Sequence, residues 1–209
     1  MLFRLPLAIC CLMYSMIYGQ INPDLIDIVR DAYGVPHIFA VTDAEVSYGL
    51  AWAHAEDDFK TIQQGYLAGN NMLSKNIGNT GLGADFIAQF IGSEELFNDR
   101  YENEISDEYK KVVNGYAAGL NSYATSHPEE VLVNALFPIT PKKMMRYAQL
   151  QLFISSKGDQ WVQRIVNNQL TYDFKVEETP KGSNTFAFNS NKTKDGSTYL
   201  AINTHQPLD

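Results

Sequence analysis

The chain has 209 residues, 45% of them hydrophobic and 19% charged, so it can bury one sizeable core and is not a disordered acidic tract. Sixteen Lys and Arg stand against 24 Asp and Glu, a formal net charge of −8. That balance excludes a nucleic-acid partner, because there is no cationic surplus to displace counterions from a phosphate backbone.

The first residues, MLFRLPLAICCLMYSMIYG, place Arg4 ahead of an apolar run that stops at Gly19. A positive residue, an apolar stretch short of the roughly 20 residues of a membrane span, and a small residue at its end predict a secretory signal peptide over residues 1–19. Its removal leaves a periplasmic or secreted chain with no membrane attachment. Cys10 and Cys11 both lie inside the leader, so the mature chain has no cysteine. Disulfides, thiolate catalysis and cysteine-bound zinc are thereby excluded.

Residues 25–40, LIDIVRDAYGVPHIFA, read as two β-rich pieces around turn residues 33–36, with Pro36 driving Val35 towards an extended conformation. His37 is expected to pack where this opening strand meets the body. A long helix follows in TDAEVSYGLAWAHAEDDFKTIQQGYLAG. Thr42 and Glu45 make a capping box, and Ala44, Tyr48, Ala51, Ala55, Phe59, Ile62 and Tyr66 recur at helical spacing, with Gly65 and Gly69 marking the end. His54 stands beside Glu56, Asp57 and Asp58, which resembles a metal cluster. Consecutive helical side chains diverge, however, so a solvated face or one pairing with the N-terminal strand is the better reading.

The Gly/Asn-rich connector GNNMLSKNIGNTGLGAD leads into further helical pattern over residues 86–97. Tyr109, Val112, Tyr116, Leu120 and Tyr123 then set the stripe of another helix. In ITPKKMMRYAQLQLF, Thr140 sits at a cap and Pro141 at the first helical position, where its missing N–H costs nothing. After residue 172 the period changes. SNTFAFNS and STYLAINTH alternate with period two around NKTKDG, whose Asp195 and Gly196 suit a hairpin turn.

Ser183, at the start of that hairpin, is the candidate nucleophile. A serine hydroxyl needs a base, and His37, His54, His127 and His205 could in principle supply one with an Asp. Yet KGSNT lacks the G-x-S-x-G elbow, and Ser183 opens a strand where an elbow serine would join strand to helix. The other route is to cut the chain before the serine, so that its own α-amino group, with a pKa near roughly 8, becomes the base. Gly182 suits that cut by letting the backbone adopt the conformation in which the hydroxyl attacks the preceding carbonyl. GSN alone is equally compatible with a turn feeding a hairpin.

IVRDAYGVPHIFA, YGLAWAHAEDDF, GYAAGLNSY, GSNTFAF and LAINTHQPL occur in the order and at about the spacing of the penicillin acylase family, which the chain resembles from about Ile28 to Leu208. These are N-terminal nucleophile amidohydrolases acting on penicillins, cephalosporins and N-acyl-homoserine lactones. The resemblance implies an α+β fold, the αββα sandwich of that superfamily. Residues 20–182 would be the helical α subunit with an end-of-chain spacer, and residues 183–209 the first hairpin of the catalytic β subunit. It further implies autocleavage between Gly182 and Ser183, with Asn184 in the same motif and His205 near the serine's α-amine and the leaving amine. No cofactor is required for catalysis.

Many members of the family hold a structural calcium. Here Asp159 and Gln163 stand near its upstream ligand position, but the usual Glu is absent and no metal residue is assigned. The implied partners are a small N-acyl amide substrate and the rest of the β subunit, as an αβ heterodimer. Because 27 residues from Ser183 to Asp209 supply only one hairpin, the chain is expected to be the front of a larger precursor, inactive alone. A non-catalytic secreted helical module, or a decayed acylase gene, is the alternative.

Overall fold

A computed structural model of the chain describes residues 21–169 and 183–204. Residues 1–20, residues 170–182, including Gly182, and residues 205–209, including His205, lie outside them, and the expected signal peptide falls there. The chain divides into two compact units between Asp159 and Gln160.

The first unit opens with an antiparallel hairpin, β1 (Asp27–Arg30) and β2 (Pro36–Phe39), in which Ile28 pairs with Ile38 and Val29 with His37. Asp31 closes the turn by accepting from the backbone N–H of Tyr33 at 2.8 Å and of Val35 at 3.0 Å, and Gly34 takes φ +82°. These two N–H groups, and then His37, hold the Asp31 carboxyl below its usual range. His37 does not pack against the body. Ile28 and Ile38 turn inward onto Gly49, where an added Cβ would lie 2.7 Å from Ile38 Cγ2, and strand alternation therefore sends His37 out to solvent.

The long helix α1 (Asp43–Gly69) starts with the expected capping box. Glu45 N donates to Thr42 Oγ1 at 3.3 Å, and Thr42 N donates to Glu45 Oε2 at 3.0 Å. It is two helical pieces, for Asp58 leaves the helical region (φ −159°, ψ 73°) and caps the second piece through Thr61 N at 3.0 Å. Gly65 does not end the helix. An added Cβ there would sit 2.7 Å from the Tyr147 ring, and at Gly69 2.4 Å from Tyr147 Cα. Gly69 ends the helix as read, and both glycines also admit the approach of a later helix.

The Gly/Asn-rich connector folds into the short α2 (Ser74–Ile77) and a 3₁₀ turn over residues 78–81, fastened by Asp85, which accepts from the backbone N–H of Leu73 and Ser74. The expected segment over 86–97 is two helices, α3 (Leu82–Phe90) and α4 (Ser93–Glu104), broken at Gly92 with φ +64°. Helix α5 (Asp107–Ser126) then crosses α1 at backbone contact. A Cβ on Gly115 would meet Ala44 O at 2.2 Å, and one on Gly119 would meet Tyr48 O at 2.4 Å. Its buried stripe is Val113, Ala117, Leu120, Tyr123 and Ala124, while Tyr109 is exposed and Val112 half-buried.

Helix α6 (Pro141–Ser155) begins as read, with Thr140 Oγ1 accepting from Lys143 N at 3.3 Å. The core gathers Ala51, Ala55, Phe59, Tyr66 and Leu67 of α1 with Leu120 and Tyr123 of α5 and Leu136 and Ile139 of the segment before α6. Two amides pin that segment. Gln63, fully buried, accepts from Leu132 N at 2.8 Å and donates to Glu130 O at 3.0 Å; Asn121 accepts from Ile139 N at 2.7 Å and donates to Ile139 O at 2.8 Å. Among the described residues no helix is long and apolar enough to cross a membrane.

The short α7 (Gly158–Val166) runs across the division between the units. The second unit carries a second antiparallel hairpin, β3 (Ser183–Phe188) and β4 (Tyr199–Thr204). The described chain is thus mostly helical with two two-stranded sheets.

Candidate active site

Alternating residues extend β3 and β4, and the register is continuous from Phe188 opposite Tyr199 to Ser183 opposite Thr204. Ser183 is therefore the first residue of its strand and stands at the open end of the hairpin. It is exposed. Asn184 follows, paired with Asn203. His205 comes one residue after the partner of Ser183, outside the described residues, as does Gly182.

Turn chemistry sets this register. Asn189 caps a 3₁₀ turn at residues 190–192 by accepting from Asn191 N at 3.1 Å, and Gly196 takes φ +74°. Thr193 Oγ1 donates to Ser197 O at 2.7 Å, and Asp195 accepts from Ser197 N at 3.2 Å and from the Tyr199 hydroxyl. The Tyr199 hydroxyl and the Ser197 N–H hold the Asp195 carboxyl down to about 2. Since that value lies below the ordinary 3.8, the bonds hold above the ordinary value and are lost as the pH falls through about 2. In Tyr199→Phe the Asp195 carboxyl is expected to titrate closer to 3.8, read by its side-chain carbon shift against pH; an unmoved titration would mean the hydroxyl is not its partner.

Both faces of the hairpin are apolar. Thr185 and Ala187 share one face with Ile202 and Leu200, and Phe186 and Phe188 share the other with Ala201 and Tyr199; Phe186 is 55% and Ile202 67% exposed. Strands that carry apolar residues on both faces are made for the middle of a layered structure.

The three histidines of the first unit have structural partners. His37 Nε2 lies 3.4 Å from Asp31 Oδ2. His54 Nδ1 is 2.9 Å from the Tyr116 hydroxyl, and His127 stacks on Tyr123 at 4.1 Å. The acids after His54 do not gather with it as a metal cluster, and two of them form the expected face that pairs with the N-terminal strand. Glu56 and Asp57 both pair with Arg30 of β1, at 3.1 and 2.9 Å, and Asp58 caps its helix. Arg30 is the partner that the sequence alone leaves unnamed; its position just before the turn is the available signal. Among the described residues no group of three or more His, Cys, Asp or Glu could hold a metal ion. Asp159 and Gln163 both lie on α7, and Asp159 Oδ1 is buried without a hydrogen-bond partner. One such oxygen suits a calcium ligand, but the described residues fall short of the six to eight that calcium takes.

A family model described as penicillin amidase matches residues 26–209. Acyl-homoserine lactone acylase PvdQ of Pseudomonas fluorescens (strain Pf0-1) is 23% identical over 210 residues, covering 87% of this chain and 27% of that protein. Penicillin G acylase of Escherichia coli is 25% identical over 168 residues, covering 72% of this chain and 19% of that protein. Among solved structures, a thermostable penicillin G acylase from Alcaligenes faecalis gives a TM-score of 0.49 at 18% identity over 74% of this chain and 95% of that one. The chain spans about a quarter or less of the length of these curated relatives.

Proposed function

The chain belongs to the penicillin amidase family, and on that premise we propose that it is the front of an autoproteolytic acylase precursor whose nucleophile is Ser183. The observation that carries this reading is the position of Ser183. It is the first residue of β3, at the open end of a hairpin and directly after Gly182, in a family whose matched relatives are acylases. Apolar residues on both hairpin faces support a place inside a stack of two sheets and two helical layers.

In the cut, Ser183 Oγ attacks the Gly182 carbonyl carbon and the peptide nitrogen takes a proton, becoming the α-amine as an ester forms. Water then hydrolyses the ester, freeing Ser183 as a new N-terminus. In turnover the α-amine accepts the hydroxyl proton as Oγ attacks the amide carbonyl of an N-acyl compound. That proton passes to the leaving nitrogen, the amine departs, and water releases the acid from the acyl-serine. His205 assists at the α-amine and the departing amine. Backbone and amide donors for the oxyanion, and any calcium, would come with the remainder of the β subunit, the second chain of an αβ heterodimer. Penicillin-like, cephalosporin-like and acyl-homoserine-lactone-like amides are the substrate class.

N-terminal sequencing of the exported full-length protein tests the assignment. Two polypeptides are expected, the smaller starting near Gln20 with QINPD and the larger starting at Ser183 with SNTFAF. A larger chain that begins elsewhere removes Ser183 from the role, and a smaller chain that retains Met1 shows that residues 1–19 are not a leader.

A further inference from the structure

We propose that a cavity of about 70 Å³ at the N-terminus of α4 binds a small oxyanion of the phosphate or sulfate class, which ties α4 to α6 and to the end of α1. Gly69, Asn70 and Asn71 at the end of α1, Ser93, Glu94 and Glu95 of α4 and Arg146 of α6 are among the residues that line it. The inference is independent of the role given to Ser183.

The first-turn backbone of α4 faces this space uncapped. Gly92, in the cap position, has no side chain to offer, and the first bond of the helix runs from Leu96 N to Gly92 O at 3.1 Å. The N–H groups of Ser93, Glu94 and Glu95 therefore have no acceptor within the helix. Ser93 is 2% exposed, and its Oγ makes no hydrogen bond. Arg146 is anchored through Nη2 to Glu94 at 3.3 Å and through Nη1 to Asn70 Oδ1 at 3.4 Å, while its Nε is buried without a partner. Ser93 Oγ and Arg146 Nε are thus two buried polar atoms left open among the lining residues, and such groups call for an occupant.

The chemistry of the open groups selects the occupant. Backbone N–H, hydroxyl and guanidinium N–H all donate, which suits acceptor oxygens and argues against a metal cation. An oxyanion brings lone pairs only, and a helix N-terminus adds its positive end. Glu94 and Glu95 also line the cavity but are exposed, Glu94 at 56%, so solvent screens their carboxylates, and Glu94 is already paired with Arg146; the Arg146 side chain, at 15%, acts through less water. Gln149 Oε1, an acceptor also left open on α6, is not among the lining groups.

Titration of the full-length protein with sodium phosphate and with sodium sulfate at constant ionic strength, read by calorimetry and by thermal midpoint, is expected to show saturable one-site binding that chloride does not give. Both anions also stabilise proteins generally by exclusion from the surface, so saturation and dependence on the cavity are the discriminating readouts. Ser93→Ala is expected to weaken binding about tenfold to a hundredfold, the loss of one hydrogen bond to a charged group. Arg146→Lys, which keeps the charge and removes Nε, is expected to do the same. Absence of binding heat, or a midpoint that rises without saturating and equally in wild type and both variants, would overturn the proposal and leave the cavity to water.

Discussion

Replacing Ser183 with Ala in the full-length precursor is expected to leave one uncut chain whose amide hydrolysis is lower by on the order of 10⁶-fold, the loss typical when an enzyme's nucleophile is removed. The same oxygen is asked to perform both the cut and the turnover, so both must fail together. Ser183→Cys separates them. A thiol can make the acyl shift, so this variant is expected to cut itself, but to hydrolyse amides poorly, because the geometry and leaving-group balance suit oxygen. His205→Ala is expected to leave the cut intact and to lower turnover by about 10²- to 10⁴-fold, the range of a general acid–base contribution. Gel mobility reports the cut and acid release from phenylacetyl and long-chain acyl amides reports the turnover. A Ser183→Ala protein that matures and works at the wild-type rate ends the nucleophile assignment.

The largest loss of stability is expected where two backbones touch. In Gly119→Val the new Cβ would lie 2.4 Å from Tyr48 O and 2.8 Å from Ala51 Cβ, both on the buried face of α1. No rotamer relieves contacts made by Cβ itself, so α5 must move away from α1 along the line that carries the core. The expected cost is about 3 kcal/mol, at the upper end for overpacking, read as a lower urea midpoint. Gly83→Ala is the matched control. Gly83 lies in α3, where an added Cβ would meet nothing within 4 Å. Alanine there is expected to stabilise by about 0.5–1 kcal/mol through a less flexible unfolded chain. If both variants melt together, the α1–α5 contact is looser than its distances state.

What the sequence discloses is local chemistry. The Thr42–Glu45 box, the Thr140–Pro141 start and the Asp195–Gly196 turn each depend on residues within four positions of one another, and each stands where the sequence puts it. Long-range meaning is hidden. Gly65 reads as a stop signal because the partner that explains it, Tyr147, lies in a helix far along the chain, whereas Gly69 does end α1. His37 reads as inward-facing because the register that turns Ile38 in is set by Gly49. The Asp58 break has a local signal, an acid three residues before Thr61, masked by apolar periodicity running through both pieces.

The motif GYAAGLNSY shows a second limit. Its glycines admit α1, Asn121 clamps Ile139, and Tyr123 lies edge-on to Phe59 and Trp52, so this signature of the family is scaffold rather than chemistry. At the candidate site the residue types and their order are legible. The place of His205 relative to Ser183 is not, because His205 falls outside the described residues.

The two-sided apolar character of the β3–β4 hairpin carries a consequence for the timing of the cut. A lone pair of strands with wet apolar faces is marginal in water, and its unpaired edges invite strand addition from other copies. Left uncovered, β3 and β4 expose apolar side chains on both faces, as Phe186 and Ile202 do, and give Ser183 a weak support. Under the role proposed for Ser183, the cut is expected to follow coverage of both hairpin faces, and a precursor whose hairpin stays uncovered is expected to stay uncut. Coverage of the ribbon would then act as a check on assembly that precedes the proposed cut.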